Sequence, residues 1–231
     1  MEIMILKGLQ KLTLLDFPGK MAATVFTGGC NFRCPFCHNG SLVIPERFGK
    51  TLPEEEFFAF LSKRAGILEG VCISGGEPTL QPDLSDFIRK IRERGFLVKL
   101  DTNGSRYDVL DNLIKERLVD YVAMDIKSSK QGYARAIGVE DFDVSDIEKS
   151  VGLLKKNKVD FEFRTTVVRQ LHSEDDFTEI GKWLKGDSKL FLQTFTDSGD
   201  LVGSGYSAYG EEEMNTFLSI LQKYLPNAAL R

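Results

Sequence analysis

Residues 28–39 read Gly-Gly-Cys-Asn-Phe-Arg-Cys-Pro-Phe-Cys-His-Asn, and they contain three of the chain's four cysteines, Cys30, Cys34 and Cys37. Thiolates grouped this closely are soft ligands, which suit an iron–sulfur cluster or zinc. His38 could complete a local Cys3His zinc site, although four ligands so close in sequence strain a tetrahedral shell. Alternatively, the three cysteines hold a 4Fe-4S cluster whose fourth iron is open to a substrate. The loop alone leaves both interpretations open.

The segments on either side of this loop alternate between strand-like and helix-like patterns. The strands are predicted at 22–27, 71–74, 96–101, 120–126, 160–168 and 190–194. The helices are predicted at 51–65, 82–94, 107–117, 145–157, 173–185 and 211–224, with capping boxes beginning at Thr51 and Ser145 and an acidic first turn after Ser173. Such alternation predicts a parallel α/β sheet with right-handed crossovers. Six units favour a partial, open (β/α)6 TIM-like barrel over a closed one, and a doubly wound open sheet stays possible.

The composition indicates an ordinary globular protein. The chain has 231 residues, of which 42% are hydrophobic and 28% charged, and its formal net charge is −4. We expect a single domain over 1–231, with the barrel at about 20–195 and a closing helix at about 211–224. The charge gives no reason to expect a nucleic acid partner. We also expect no signal peptide or membrane span, and clustered cysteines without a disulfide framework favour the cytoplasm.

Polar residues follow every predicted strand. In parallel α/β folds the carboxyl ends of the strands meet at one edge, where chemistry takes place. Glycines such as Gly75 and Gly76 let the backbone pass close to a ligand with its polar groups unpaired, and Glu77 can accept a hydrogen bond from an ammonium group. After the cysteine loop, the polar segments are Ser74-Gly75-Gly76-Glu77-Pro78, Asp101-Thr102-Asn103-Gly104, Asp125-Ile126-Lys127, Arg164-Thr165-Thr166 and Gln193.

The cysteine spacing followed by Gly75-Gly76-Glu77-Pro78 resembles the paired motifs of the radical S-adenosylmethionine (radical SAM) superfamily. The resemblance implies a partial barrel, a 4Fe-4S cluster on Cys30, Cys34 and Cys37, and contact between the Gly-Gly-Glu segment and the methionine amino group of S-adenosylmethionine. The segments at Asp101-Thr102 and Asp125-Lys127 resemble those of glycyl-radical-enzyme activating proteins, where they help to bind this cofactor. We therefore predict the cofactor-binding residues Phe36, Gly75, Gly76, Glu77, Asp101, Thr102, Asp125, Lys127 and Arg164, with Phe36 packing on the adenine.

Within the activating proteins, the segment Asp16-Phe17-Pro18-Gly19-Lys20 and the ending Cys37-His38-Asn39 are most similar to activators of anaerobic ribonucleoside-triphosphate reductase. The resemblance implies that an electron from the reduced cluster cleaves S-adenosylmethionine to methionine and a 5′-deoxyadenosyl radical. That radical then takes a hydrogen atom from a glycine of the partner enzyme. A flavodoxin or ferredoxin is the expected electron donor. The alternatives are an activator of a pyruvate formate-lyase-type enzyme, a radical SAM enzyme acting on a small molecule and, more distantly, a non-catalytic zinc module.

Several residues outside these motifs receive simpler interpretations. Residues 38–71 contain no cysteine, so the chain has room for one cluster at most. Cys72 lies within an apolar strand and is expected to be a buried thiol, and His172 is expected to have a surface role. The sequence assigns no role to Gln193, and it leaves open whether a monovalent cation lies near Asp101 and Asp125.

Overall fold

The computed structural model describes residues 4–156 and 158–231. Within them, one mixed sheet contains eight strands, whose spatial order is the same as their order in the chain. The strands are β1 (Leu6–Thr13), β2 (Ala22–Thr27), β3 (Gly70–Gly75), β4 (Leu97–Thr102), β5 (Tyr121–Asp125), β6 (Asp160–Val167), β7 (Leu190–Thr194) and β8 (Ala228–Leu230). Strands β2 to β8 are parallel to one another, and β1 is antiparallel to β2.

All six predicted strands are present, each within one residue of its expected bounds, as β2 to β7. Their sequences are largely apolar because strands of a parallel sheet are covered on both faces. In β2, for example, Ala22, Ala23 and Val25 are fully buried. The sheet is open, since β1 and β8 form its edges and do not pair with each other within the described chain. Because the strands lie in chain order, the described sheet lacks the reversal of strand order that a doubly wound sheet has, and the prediction of a partial barrel is confirmed.

Helices connect the parallel strands. Within the described residues they are α1 (Gly40–Val43), α2 (Glu54–Ser62), α3 (Leu84–Arg92), α4 (Tyr107–Lys115), α5 (Tyr133–Ile137), α6 (Ser145–Leu154), α7 (Glu174–Leu184) and α8 (Glu211–Gln222). Their apolar faces join the strands in one hydrophobic core. In α3, the buried residues Leu84, Phe87, Ile88 and Ile91 follow the spacing of one helix face, as the sequence predicts.

The two predicted capping boxes, at Thr51 and Ser145, are not formed. Helix α2 begins at Glu54 after an extended Pro53, so Thr51 lies outside it, and the Thr51 hydroxyl instead accepts a hydrogen bond from Lys7. Helix α6 begins at Ser145 itself, whose hydroxyl donates to Asp143. Helix α6 ends at Leu154, and the predicted end at 157 lies outside the described residues.

The acidic first turn of α7 is confirmed. The carboxylate of Asp176 accepts a hydrogen bond from the backbone N–H of Ser173 at 2.9 Å. Negative charge at this end of a helix is favourable because the first turn leaves N–H groups unpaired.

The two edge strands, β1 and β8, are not predicted from the sequence. The middle of β1 is mostly exposed or half-buried, and β8 has only three residues, so neither carries a clear alternating pattern. The predicted single domain over 1–231 stays a prediction. No helix among the described residues is both long enough and apolar enough to span a membrane.

Candidate active site

The carboxyl ends of β3 to β7 and the cysteine loop surround one pocket of about 420 Å³. Every site residue predicted from the sequence lines it, and so does Gln193. The pocket also includes residues that the sequence analysis did not assign to the site, among them Gln10, Thr24, Phe26, Asn103 and Thr166. These elements meet because parallel strands in sequential order place all their carboxyl ends at one edge of the sheet.

The three loop thiols face this pocket from tightly folded backbone. Cys37 donates its N–H to the carbonyl of Cys34 at 3.0 Å, and the Cys30 Sγ accepts from the Phe32 N–H at 3.3 Å. Burial raises the pKa of Cys30 to about 11 and that of Cys34 to about 12, and it also raises the pKa of Cys37. The ammonium group of Lys127 acts in the opposite direction on all three. The thiols are therefore protonated without a metal and must release protons to bind one.

The donor set fits an iron–sulfur cluster better than a single zinc ion. Zinc lies about 2.3 Å from each thiolate, so its ligands must gather round one point. Among the described residues, no three His, Cys, Asp or Glu side chains gather in that way. Cys30, Cys34 and Cys37 instead lie round the wall of a shared pocket, which suits a cluster of several irons. His38 also lines the pocket, but the Cys3His zinc arrangement is not formed.

Gly75 and Gly76 are required by close contact between the β3 loop and the cysteine loop. Gly75 has a φ of +122°, and a Cβ on Gly76 would collide with the carbonyl of Gly29. The Gly76 N–H donates to Thr27 at 2.9 Å, and the next N–H, that of Glu77, donates to Gly29 at 2.8 Å. The expectation that these glycines leave their amides unpaired is therefore wrong for Gly76. The N–H groups join two loops of the protein.

The carboxylate of Glu77 is enclosed by donors from its own chain. It is 1% exposed, and it accepts from the Thr102 hydroxyl at 2.7 Å and from the Asn103 N–H at 2.6 Å. It also accepts from the N–H and hydroxyl of Thr79. Burial raises the pKa of Glu77, and these hydrogen bonds oppose that increase. Oε1 takes three of these four hydrogen bonds and Oε2 takes only the one from the Asn103 N–H, so Glu77 connects the ends of β3 and β4 while Oε2 keeps one lone-pair direction.

A chain of alternating charges crosses β4, β5 and β6. One carboxylate oxygen of Asp101 forms an ion pair with Lys99, and the other forms one with Arg164, whose Nη1 lies at 3.4 Å. Asp125 accepts hydrogen bonds from Arg164 Nε at 3.0 Å and from Lys127 Nζ at 2.8 Å. Burial alone raises the pKa of both aspartates, but the adjacent cations outweigh it and hold both values below the ordinary range. Both carboxylates are therefore ionised, and they fix the directions of the cations.

This charge network has donors left for an anion. Lys99 is 1% exposed and is committed to Asp101, with the thiol of Cys72 at 3.8 Å. Arg164 uses Nε and Nη1 within the network, whereas its Nη2 makes no hydrogen bond within the described chain. Lys127 likewise has ammonium protons beyond the one given to Asp125. The network has three cations and two anions, so it is suited to a carboxylate.

His172 is bonded to the backbone of this site. It was expected at the surface, but that expectation is wrong. It is 3% exposed, and its Nδ1 accepts from the Val168 N–H at 3.0 Å. Nε2 therefore carries the proton and donates to the carbonyl of Lys127 at 2.8 Å. Burial lowers the pKa of His172, so the ring is neutral near pH 7. The histidine holds the backbone that carries Lys127.

Asn103 and Thr24 are pocket residues that the sequence analysis did not single out. The Asn103 amide donates to Asn31 at 3.0 Å and lies 4.0 Å from the Cys30 Sγ, so it joins the end of β4 to the cysteine loop. The Thr24 hydroxyl donates to the carboxylate of Asp16. Asn103 stands in a segment already marked as polar, but a threonine within a strand gives no such signal. Cys72 is fully buried, as expected.

The fold agrees with comparisons to known proteins. The model of the radical SAM superfamily matches residues 24–184. The chain therefore belongs to the radical SAM superfamily, whose enzymes use S-adenosylmethionine and a 4Fe-4S cluster. A structure of Streptococcus suis SuiB bound to S-adenosylmethionine has the same fold, with a TM-score of 0.67 and 15% identity. It matches 88% of this chain, which spans 48% of the SuiB chain.

Two relatives match nearly end to end. One is assigned as a glycyl-radical enzyme activating enzyme of Methanocaldococcus jannaschii. It is 35% identical, and the alignment covers 98% of this chain and 95% of the relative. The other is the pyruvate formate-lyase 1-activating enzyme of Escherichia coli, which is 30% identical over 91% of this chain and 92% of its own length.

Proposed function

We propose that this protein activates a glycyl-radical enzyme by generating a radical on a glycine of that partner. The observation that carries the proposal is the nearly full-length correspondence to two activating enzymes, in which little of either chain is left unmatched. A small-molecule enzyme that shared only the radical SAM core would be matched over a part of its length. We also propose a cytoplasmic location, because the cysteine loop needs reduced thiols.

In this proposal each group of site residues has a separate task. Cys30, Cys34 and Cys37 hold the 4Fe-4S cluster, which together with S-adenosylmethionine supplies the radical chemistry when both are bound. Arg164 and Lys127 bind the carboxylate of the cofactor's methionine through donors that the charge network leaves free. The backbone of Gly75, Gly76 and Glu77 forms the neighbouring wall, and Phe36 and Thr102 complete the lining.

The two aspartates and Glu77 act as positioning residues. Asp101 and Asp125 hold Arg164 between them, so the guanidinium cannot rotate away from the pocket without breaking an ion pair. Glu77 holds the end of β4 through Thr102. This arrangement supports tight orientation of the cofactor, because preorganised donors need no rearrangement when the ligand arrives.

We further propose that the partner is an anaerobic ribonucleoside-triphosphate reductase and that a flavodoxin or ferredoxin supplies the electron. The support for this partner is the sequence of Asp16-Phe17-Pro18-Gly19 and of Cys37-His38-Asn39. The name of the E. coli relative favours the rival partner, a pyruvate formate-lyase-type enzyme. Both candidates therefore belong in the test.

The test uses electron paramagnetic resonance after anaerobic mixing of the reduced holoenzyme, S-adenosylmethionine and each candidate partner from the same cell. We expect a doublet with the reductase, and we expect its splitting to collapse when the partner's glycine α-hydrogen is replaced by deuterium. A doublet with the formate-lyase-type enzyme alone would reject the reductase and retain the activating function. If neither partner responds, and a small molecule instead stimulates 5′-deoxyadenosine formation, the activating function is wrong.

A further inference from the structure

The loop between β7 and α8 contains a segment that covers the outside of the cysteine loop. We call residues 197–203 the strap. The strap lies more than 150 residues beyond the cysteine loop in sequence, yet its polar groups form hydrogen bonds to carbonyls of that loop. The hydrogen bonds are from Ser198 Oγ to the His38 carbonyl at 3.0 Å, from the Val202 N–H to the Cys37 carbonyl at 3.1 Å and from the Gly203 N–H to the Pro35 carbonyl at 2.8 Å.

Asp200 binds the chain just beyond the last loop cysteine. Its carbonyl accepts from the Gly40 N–H at 2.8 Å, and its carboxylate accepts from the Ser41 N–H at 2.8 Å. Gly40 lies so close that a Cβ would stand 2.7 Å from the Asp200 carbonyl oxygen. The strap is therefore packed against the segment that follows Cys37, and Asp200 is the residue that binds it through both backbone and side chain.

Arg47 makes a further contact on the same side. Its Nη1 donates to the carbonyl of Leu201 at 2.8 Å. The strap is thereby held by residues on both sides of α1, and the two chain segments form one unit. The internal turn, in which the Cys37 N–H donates to the Cys34 carbonyl, uses different backbone groups from those that the strap binds, so the strap adds to this turn.

We propose that Asp200 is a positioning residue that keeps the Cys37 end of the cysteine loop in the geometry that binds the cluster. The proposal rests on the ligand set of the proposed function and adds a residue outside the radical SAM motifs. Cysteine ligands depend on the groups that orient them, and removing such a group commonly weakens metal binding about 10- to 100-fold. Loss of the Asp200 carboxylate frees the Ser41 N–H, and the loop beyond Cys37 then moves more easily.

The chain offers a matched control in Asp197. Its carboxylate accepts from the Gly199 N–H at 2.8 Å, so it bonds within the strap and not across to the cysteine loop. Asp200→Asn is the conservative variant, because an amide oxygen can still accept from Ser41. Comparing Asp200→Ala, Asp200→Asn and Asp197→Ala therefore separates the bond between the segments from the charge and from general damage to the strap.

The experiment measures how fast an iron(II) chelator removes the cluster from each anaerobically reconstituted holoenzyme. We expect Asp200→Ala to lose its cluster about tenfold faster than the unsubstituted protein, and we expect Asp200→Asn and Asp197→Ala to resemble the unsubstituted protein. Hydrogen exchange on the metal-free proteins gives a second readout. The Ser41 amide should exchange faster in Asp200→Ala than in Asp197→Ala, whether or not a cluster can be loaded.

Equal chelation rates in Asp200→Ala and Asp197→Ala would overturn the proposal, as would equal exchange at Ser41. An Asp200→Asn variant that loses its cluster as fast as Asp200→Ala would also reject it, because charge would then matter and the hydrogen bond would not. These outcomes are distinct from failure of the proposed function. That function is tested on the partner's glycine with the unsubstituted protein.

Discussion

The two walls of the pocket are built in different ways. The wall formed by the cysteine loop is held mainly by backbone hydrogen bonds, such as those from Gly76 to Thr27 and from Glu77 to Gly29. The other wall, on β4 to β6, is held by ion pairs between side chains, with Arg164 between two aspartates. The first wall places thiols, and the second places charges.

The difference indicates a division of labour between the walls. Backbone bonds fix a loop whatever the pH, so the thiols keep their arrangement while protons and metal exchange. Ion pairs depend on the ionisation of each member, and the loss of one member leaves the others partly buried with fewer partners. We therefore expect the cysteine wall to respond to substitution with loss of the cluster, and the charged wall to respond with graded losses of affinity and stability.

The largest effect is expected on the cysteine wall. Replacing Cys30, Cys34 or Cys37 with alanine should each abolish the 4Fe-4S signal, because three protein ligands leave none to spare. Cys72→Ala is the matched control, since this thiol is fully buried and lies outside the loop. Iron and sulfide analysis with electron paramagnetic resonance after reduction checks the outcome. A cluster that survives in one loop variant and disappears in Cys72→Ala would contradict the ligand assignment.

A smaller effect is expected on the charged wall. Arg164→Ala should leave the cluster in place but weaken S-adenosylmethionine binding about ten- to a hundredfold, the value of one charged hydrogen bond. Anaerobic titration calorimetry on the holoenzyme measures this affinity. Arg164→Lys keeps the charge but loses the forked geometry that reaches Asp101 and Asp125 together. Its affinity for S-adenosylmethionine should therefore lie between those of the unsubstituted protein and Arg164→Ala.

Unchanged affinity in Arg164→Ala would mean that the charge network only stabilises the fold. Unfolding of the metal-free protein tests that part separately. Arg164 and its two aspartates are only partly buried, so Arg164→Ala should lower the free energy of unfolding by less than the about 3–5 kcal/mol of a fully buried pair, but measurably even without cofactor. A loss of stability without a loss of affinity would confine this wall to a structural role.

The smallest effect is expected from acid acting on the same wall. In the folded protein the pKa of Asp125 lies below its ordinary value of 3.8, because Lys127 and Arg164 outweigh the effect of burial. The unfolded chain thus binds the proton more readily, so the stabilising contribution is complete above the ordinary pKa and is lost as the pH falls through the folded value. The unsubstituted protein should therefore have a higher free energy of unfolding than Asp125→Asn. That difference should be constant above about pH 5 and shrink below about pH 4.

Urea unfolding of the metal-free proteins at several pH values measures that difference. Glu77 provides a contrast of opposite sign, because burial raises its pKa above the ordinary 4.5. Its contribution is complete below the ordinary value and is lost as the pH rises through the folded pKa. If the difference in free energy of unfolding between the unsubstituted protein and Asp125→Asn grows as the pH falls, the ion-pair description of the charged wall is wrong.

Much of the site could be predicted from sequence because its motifs are short and local. Cys30, Cys34 and Cys37 stand within one loop, and the segments at Gly75 and Asp101 each follow a strand whose apolar run is easily recognised. What could not be predicted is which groups each side chain forms hydrogen bonds with. For example, nothing in the local sequence indicates that the Glu77 carboxylate accepts hydrogen bonds from Thr102 and Asn103, which lie more than twenty residues away.

The sequence by itself determined the cysteine loop, the six parallel strands and the edge of the sheet where the polar residues meet. These features follow from spacing and periodicity, which a chain carries within a few residues of each position. Only the tertiary structure decided the burial of His172, the pairing of Arg164 with two aspartates and the contact of Asp200 with Ser41. Each depends on residues that are distant in sequence, whose proximity is set by how the strands and loops pack against one another.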